Sequence, residues 1–86
     1  MTNYFTEMVK LAIGLHERGI SYEIRPLFDG MQILCDGWDA ICHEGSYGHE
    51  IGLIEVMGLG ESKDGDDVIG WLTAEDVLRL VDEVSA

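Results

Sequence analysis

Two cysteines and three histidines are the side chains here best suited to metal or nucleophile chemistry. Cys35, Cys42, His43 and His49 form the one cluster of such residues along the chain. Their spacing matches no zinc pattern, which normally begins with Cys-x₂₋₄-Cys. Cys42 and His43 are neighbours on a predicted strand and therefore point to opposite faces, the wrong geometry for a Cys–His nucleophile pair. As structural residues, both cysteines read as small buried hydrophobes. His49 opens a predicted helix beside Glu50, where a solvated or capping role is the ordinary one. The sequence contains no G-x-S-x-G, no phosphate-binding P-loop and no G-x-G-x-x-G. Neither catalysis nor a bound cofactor is expected.

Oxygen-based metal binding has a better sequence argument. Ser62-Lys63-Asp64-Gly65-Asp66, followed by Gly70-Trp71-Leu72-Thr73-Ala74-Glu75-Asp76, resembles an EF-hand loop and the start of its exiting helix. Calcium needs several oxygen ligands at fixed loop positions, a sharp Gly turn and a bidentate Glu at the end. Asp64, Asp66 and Asp76 are the candidate ligands. Ser62 stands in place of the first Asp, Asp67-Val68-Ile69 interrupts the pattern, and Asp76 replaces the long Glu. Any calcium affinity is therefore expected to be weaker than the ~10⁻⁷–10⁻⁵ M of sensor sites. A helix-capping Thr after an acidic loop explains the same letters.

The remaining chemistry is recognition. Tyr47, His49 and Trp71 fall near predicted loops, and aromatics so placed are enriched at binding surfaces, although they also cover the edges of small cores. With Glu61, Asp64, Asp66 and Asp67 they form the candidate partner-binding set.

These groups must be positioned by a short chain. Eighty-six residues make a single domain, 1–86. A domain of this size buries only about 60–65% of its unfolded surface, so most apolar residues must go inside. Residues 4–18 read as an amphipathic helix with Phe5, Met8, Val9, Ala12 and Leu15 on its buried stripe. Thr2 or Asn3 caps its start, and Gly19-Ile20 forms a Schellman stop against Leu15. Lys10, His16 and Arg18 suit the negative end of the helix dipole.

Asp29-Gly30 and Asp36-Gly37 are both preferred in two-residue type I′ hairpin turns. The first predicts Phe28 opposite Met31, Pro26 opposite Ile33 and Ile24 opposite Cys35. The second predicts Cys35 opposite Trp38, Ile33 opposite Ala40 and Met31 opposite Cys42. All these residues, with Tyr22, fall on one apolar face of a three-stranded meander. Glu23, Arg25, Leu27, Gln32, Leu34, Asp39 and Ile41 occupy the other. Pro26 cannot donate a ladder hydrogen bond, which makes the first strand an edge. In this register Cys35 and Cys42 sit roughly 13 Å apart at ~3.3 Å per residue. A disulfide needs Cα atoms within about 7 Å, so none is expected between them.

Residues 49–57 are assigned a short helix stopped at Gly58, with a buried strand as the competing reading. The stretch 60–67 is an acidic loop and 68–72 a short strand. Thr73 and Asp76 occupy capping-box positions and Leu72 and Val77 staple positions, opening a last helix with Val77, Leu78, Val81 and Val84 buried. The predicted architecture is α+β, a three-stranded antiparallel meander with helices on one face, in the order α-β-β-β-α-(β)-α.

Seventeen acids against five bases give a net charge of −12. Direct nucleic-acid binding is not expected, because phosphate affinity comes from Lys and Arg. Anionic membrane surfaces are disfavoured for the same reason. The charge serves solubility, or it presents a negative surface to a basic partner, including as a nucleic-acid mimic. The chain has no run of ~18 apolar residues and no basic start of a signal peptide, so a cytoplasmic location is expected.

Arg25-Pro26-Leu27-Phe28-Asp29-Gly30, Ser46-Tyr47-Gly48-His49 with Gly52-Leu53-Ile54-Glu55-Val56-Met57-Gly58, and Gly70-Trp71-Leu72-Thr73-Ala74-Glu75-Asp76-Val77 together carry a resemblance. The chain looks like a group of small uncharacterised proteins of phages and mobile elements of Gram-positive bacteria. The resemblance implies a bacterial accessory protein and nothing about mechanism. The function expected is non-enzymatic binding of a macromolecular partner, most simply a protein. Self-association as a homodimer is also expected, because an open sheet edge in a short apolar-rich chain needs cover.

Overall fold

A computed structural model describes residues 2–60 and 65–85. Helix α1 (Thr6–Glu17) is followed by strands β1 (Glu23–Leu27), β2 (Gly30–Cys35), β3 (Trp38–Cys42), β4 (Ile54–Met57) and β5 (Val68–Leu72), and then by helix α2 (Ala74–Ser85). The strands form one antiparallel sheet in chain order, β1-β2-β3-β4-β5. The fold is thus α+β with two helices, but the sheet is a five-stranded meander rather than a three-stranded one.

The extra strand comes from the stretch expected to be helical. His49–Ile51 makes a single 3₁₀ turn, and the chain then straightens into β4. Ile54 and Val56 point into the core while Glu55 and Met57 face outward, a period of two. Pairing to β3 on one side and β5 on the other supplies hydrogen bonds that a one-turn helix could not replace. Gly58 does not stop a helix. Its N–H donates to the Asp67 carbonyl at 3.0 Å and opens the β4–β5 connection.

The second hairpin has the expected register, with Cys35 opposite Trp38, Ile33 opposite Ala40 and Met31 opposite Cys42. Of its two turn residues only Gly37 has positive φ, so it is not the expected type I′ turn, which needs positive φ at both. The first hairpin differs more. Leu27 pairs with Gly30, Pro26 with Met31 and Ile24 with Ile33, a slip of two residues from the expected pairing. The cause is Gly30. A Cβ there would collide with the Cys42 carbonyl oxygen and crowd the His43 backbone, so the glycine belongs to the strand at a close approach. The turn therefore moves back to Phe28-Asp29, and Phe28 is forced to φ 54°. Asp29 Oδ1 then accepts the Glu44 N–H at 3.0 Å. A slip of two leaves every side chain on its expected face.

Both helices lie on one face of the sheet. Met8, Leu11, Ala12 and Leu15 of α1 and Ala74, Val77 and Val81 of α2 close over Met31, Ile33, Ala40, Cys42, Ile54 and Val56. Leu11 joins the core, whereas Phe5 and Val9, expected on the buried stripe, stay half-exposed, as does Val84 of α2. Helix α1 ends in the Schellman motif, Ile20 N–H to Leu15 O and Gly19 N–H to His16 O, both at 3.0 Å. Asn3 Oδ1 accepts the Phe5 N–H at 2.8 Å at its start. The capping box of α2 is complete: Asp76 N–H donates to Thr73 Oγ1 at 3.1 Å and Thr73 N–H to Asp76 Oδ2 at 3.0 Å. Glu7 of α1 accepts the Ala74 N–H at 2.8 Å. Arg18 grips both carboxylate oxygens of Asp82 and the Gly14 carbonyl. Several of the acids thus serve helix ends and helix–helix contacts. No described helix is long and apolar enough to cross a membrane.

Candidate functional site

The β4–β5 pairing contains a bulge, with Ile54 opposite Leu72 but Val56 opposite Ile69. One more residue lies on β5 than on β4 across this interval, so Gly70 and Trp71 together face Glu55. Trp71 takes φ 61° there, in the left-handed region that bulky residues avoid. Its N–H donates to the Tyr47 carbonyl at 3.3 Å, and the Tyr47 N–H donates to Glu55 Oε1 at 3.0 Å. Gly70 has no room for a side chain, because a Cβ would strike the Tyr47 Cβ. The result is a tight junction from which two large rings project, Tyr47 at 63% and Trp71 at 55% exposure. Glu55 faces away from the helices, and its carboxylate holds the Tyr47 loop beside the bulge.

The loop that carries Tyr47 is folded by Ser46. This serine is buried; its hydroxyl accepts the His43 N–H at 3.1 Å and donates to the His43 carbonyl at 3.0 Å. Both hydrogen-bonding roles of Ser46 are spent on the turn, which makes it a structural residue.

The structure brings Tyr47 and Trp71 together, but His49 joins the N-terminal segment instead. Its ring meets Tyr4 edge-on at 6.0 Å, its Nε2 lies 3.2 Å from Glu50 Oε1, and Thr2 donates to the Glu50 carbonyl nearby. Asp66 and Asp67 are exposed on the approach to β5, and the Asp67 carbonyl is held by Gly58. Glu61 and Asp64 lie outside the described residues. Asp76 is committed to the α2 capping box, and its carboxyl is held below the usual range by the hydrogen bonds from Thr73. That bonding takes Asp76 out of the calcium-like ligand set. Among the described residues no group of three or more His, Cys, Asp or Glu side chains is placed to hold a metal ion.

Cys35 and Cys42 are free thiols on the core face, and burial pushes both up to about 11. His43 follows the end of β3, with its ring 5.2 Å from that of Phe28. Sequence reasoning missed two participants. Glu55 was hidden inside a presumed helix, and its alternation with Ile54 and Val56 was the available signal. The exposure of Phe28, at 86%, follows from a turn shift that only the neighbouring strand imposes.

Comparison with protein-family models, with curated proteins and with solved structures returns no match for this chain.

Proposed function

We propose that this chain is a small acidic, non-enzymatic accessory protein that binds a protein partner through the Tyr47–Trp71 surface. One observation carries the reading: a half-exposed tryptophan is held at φ 61° on a bulge, beside an exposed tyrosine. Left-handed backbone at a bulky residue costs of order 1–3 kcal/mol and persists where the surroundings over-determine it, which happens at binding sites. Tryptophan and tyrosine are also the residues that most often dominate protein–protein affinity. Asp66, Asp67 and Glu50 add negative charge close by in sequence, which suits a partner with a basic surface. The acids are spread over both faces and the connecting loops, and no observation favours nucleic-acid mimicry over ordinary protein recognition. A cytoplasmic role of the phage or mobile-element kind that the sequence resembles fits this reading.

Capture from a native host lysate tests it. Immobilised wild-type protein and a Phe28→Ser variant should retain the same protein, and Tyr47→Ala/Trp71→Ala should reduce its recovery at least about tenfold. Equal recovery on a folded double variant would overturn the assignment.

A further inference from the structure

At the opposite edge of the sheet, β1 is exposed along most of its length. No backbone hydrogen bond from the described residues reaches its outer side. The two-residue turn makes Leu27 and Gly30 a hydrogen-bonded pair, and bonded and unbonded pairs then alternate along an antiparallel ladder. Pro26–Met31 and Ile24–Ile33 are therefore unbonded pairs, and their backbone groups point away from β2. Ile24 offers both an N–H and a C=O to the outside. Pro26 offers only a C=O.

The side chains at this edge are unusual for an acidic surface. On the helix side Ile24 is 50% exposed and Pro26 and Phe28 are exposed, lining one shallow depression with Phe5 of α1. Val9 continues the exposed apolar flank one turn along α1. On the open face stand Glu23 and Arg25, two residues apart and of opposite sign, bonded to each other at 3.0 Å.

We infer that β1 pairs with β1 of a second copy of this chain, antiparallel, about a two-fold axis at Ile24. This register places Ile24 opposite the partner's Ile24. It places Glu23 opposite the partner's Arg25, and Arg25 opposite the partner's Glu23. The charge order is therefore self-complementary, which is what an isologous interface requires and what an unrelated partner would have no need of. Ile24 and the partner's Ile24 exchange two backbone hydrogen bonds. Tyr22 N–H then reaches the carbonyl of the partner's Pro26, while the missing proline donor limits the pairing to a short stretch. On the helix side the same register brings the apolar corner at Phe5, Ile24 and Pro26 against its own copy. The product is a continuous ten-stranded sheet with one Tyr47–Trp71 surface near each far edge. The inference rests on β1 and α1 and stands apart from the partner surface proposed above.

Charge reversal tests the register directly by sedimentation at up to ~100 μM. Each copy carries −12, so if net charge alone governed association, Glu23→Arg would strengthen it and Arg25→Glu would weaken it. In the inferred register both single variants set like charges opposite each other twice. Each should weaken the dimer about tenfold. Glu23→Arg/Arg25→Glu restores both pairs and should return the affinity to within about threefold of wild type. Oxidised Ile24→Cys should give a covalent dimer, and Ile51→Cys, more exposed but away from β1, should not. A strictly monomeric wild-type protein, affinities that follow net charge, or failure of the double reversal to recover association would overturn the inference.

Discussion

Strands β1 and β5 both end the sheet, yet β1 runs in unbroken register while β5 is interrupted by a bulge at Gly70-Trp71. β5 has the Tyr47 carbonyl bonded to it, and its last residue leads directly into the α2 capping box. β1 has an exposed apolar flank and, among the described residues, no cover. Bulges and covering loops are how proteins stop a sheet from adding strands, whereas a flat edge invites another strand. One domain can thus close one sheet edge with a bulge and a bonded loop while the other stays flat and exposed.

The sharpest way to test this contrast is to crowd each edge. Gly30→Ala drives a methyl group into backbone, the Cys42 carbonyl, so neither side can yield without breaking the β1–β2–β3 register. It should cost about 3 kcal/mol in urea unfolding. Gly70→Ala meets first a side-chain carbon of Tyr47 rather than backbone, and should cost less, about 2 kcal/mol. Equal costs would mean that the β5 edge is as rigid as the β1 hairpin.

Next in size is the join between β5 and α2. Thr73→Ala removes the hydroxyl of the capping box and should lower stability by about 1 kcal/mol. The pH dependence has a definite sign. The carboxyl of Asp76 is held below its usual range by Thr73, and that of Asp82 by Arg18. A lowered folded-state pKa contributes stability above the unfolded value and loses it as pH falls through the folded value. Stability should therefore decline as the pH is taken below about 4. Asp76→Asn should flatten that decline without abolishing it, since Asp82 still titrates. An unchanged acid limb in Asp76→Asn would remove the box as a source of acid sensitivity.

Backbone strain separates the two edges more subtly. Phe28 and Trp71 both sit at positive φ. Phe28 has little burial to lose, so Phe28→Gly should stabilise the monomer by about 0.5 kcal/mol as relief of the left-handed conformation outweighs glycine's entropy. Trp71→Gly relieves the same strain but gives up half-buried ring contacts, and its effect should lie near zero. A large loss for Trp71→Gly would show that the ring serves the core more than a partner.

The smallest effect concerns the thiols. With both cysteines pushed up to about 11 by burial, a thiol reagent at pH 8 should react slowly until the protein is denatured, and then find two free thiols. The raised folded-state values mean that their contribution to stability is full below the unfolded pKa. It is lost as pH rises toward about 11. Rapid reaction of the native protein would place Cys35 or Cys42 outside the core.

The legible parts of the sequence were those closed by short-range bonds. Gly19-Ile20 against Leu15, Thr73 with Asp76, and the pairing around Asp36-Gly37 each need only a few residues to satisfy their own donors and acceptors. Within the candidate site, the aromatic identity of Tyr47 and Trp71 was visible, but their adjacency and the bond to Glu55 were not. His49 was grouped with them in sequence and packs elsewhere, against Tyr4.

The sequence by itself determined which residues share a face of β1, β2 and β3, where α1 stops and α2 starts, and that the charge is strongly negative. Only the tertiary structure decided that 49–57 joins the sheet, because the hydrogen bonds that make β4 a strand belong to β3 and β5. The β1–β2 register was likewise set by a neighbour in space, the Cys42 carbonyl that excludes any side chain at Gly30. The exposure of Ile24, Phe28 and Val9 has the same origin. Apolarity is a property of a residue, but burial depends on how far two helices can reach across five strands, and here they leave β1 uncovered.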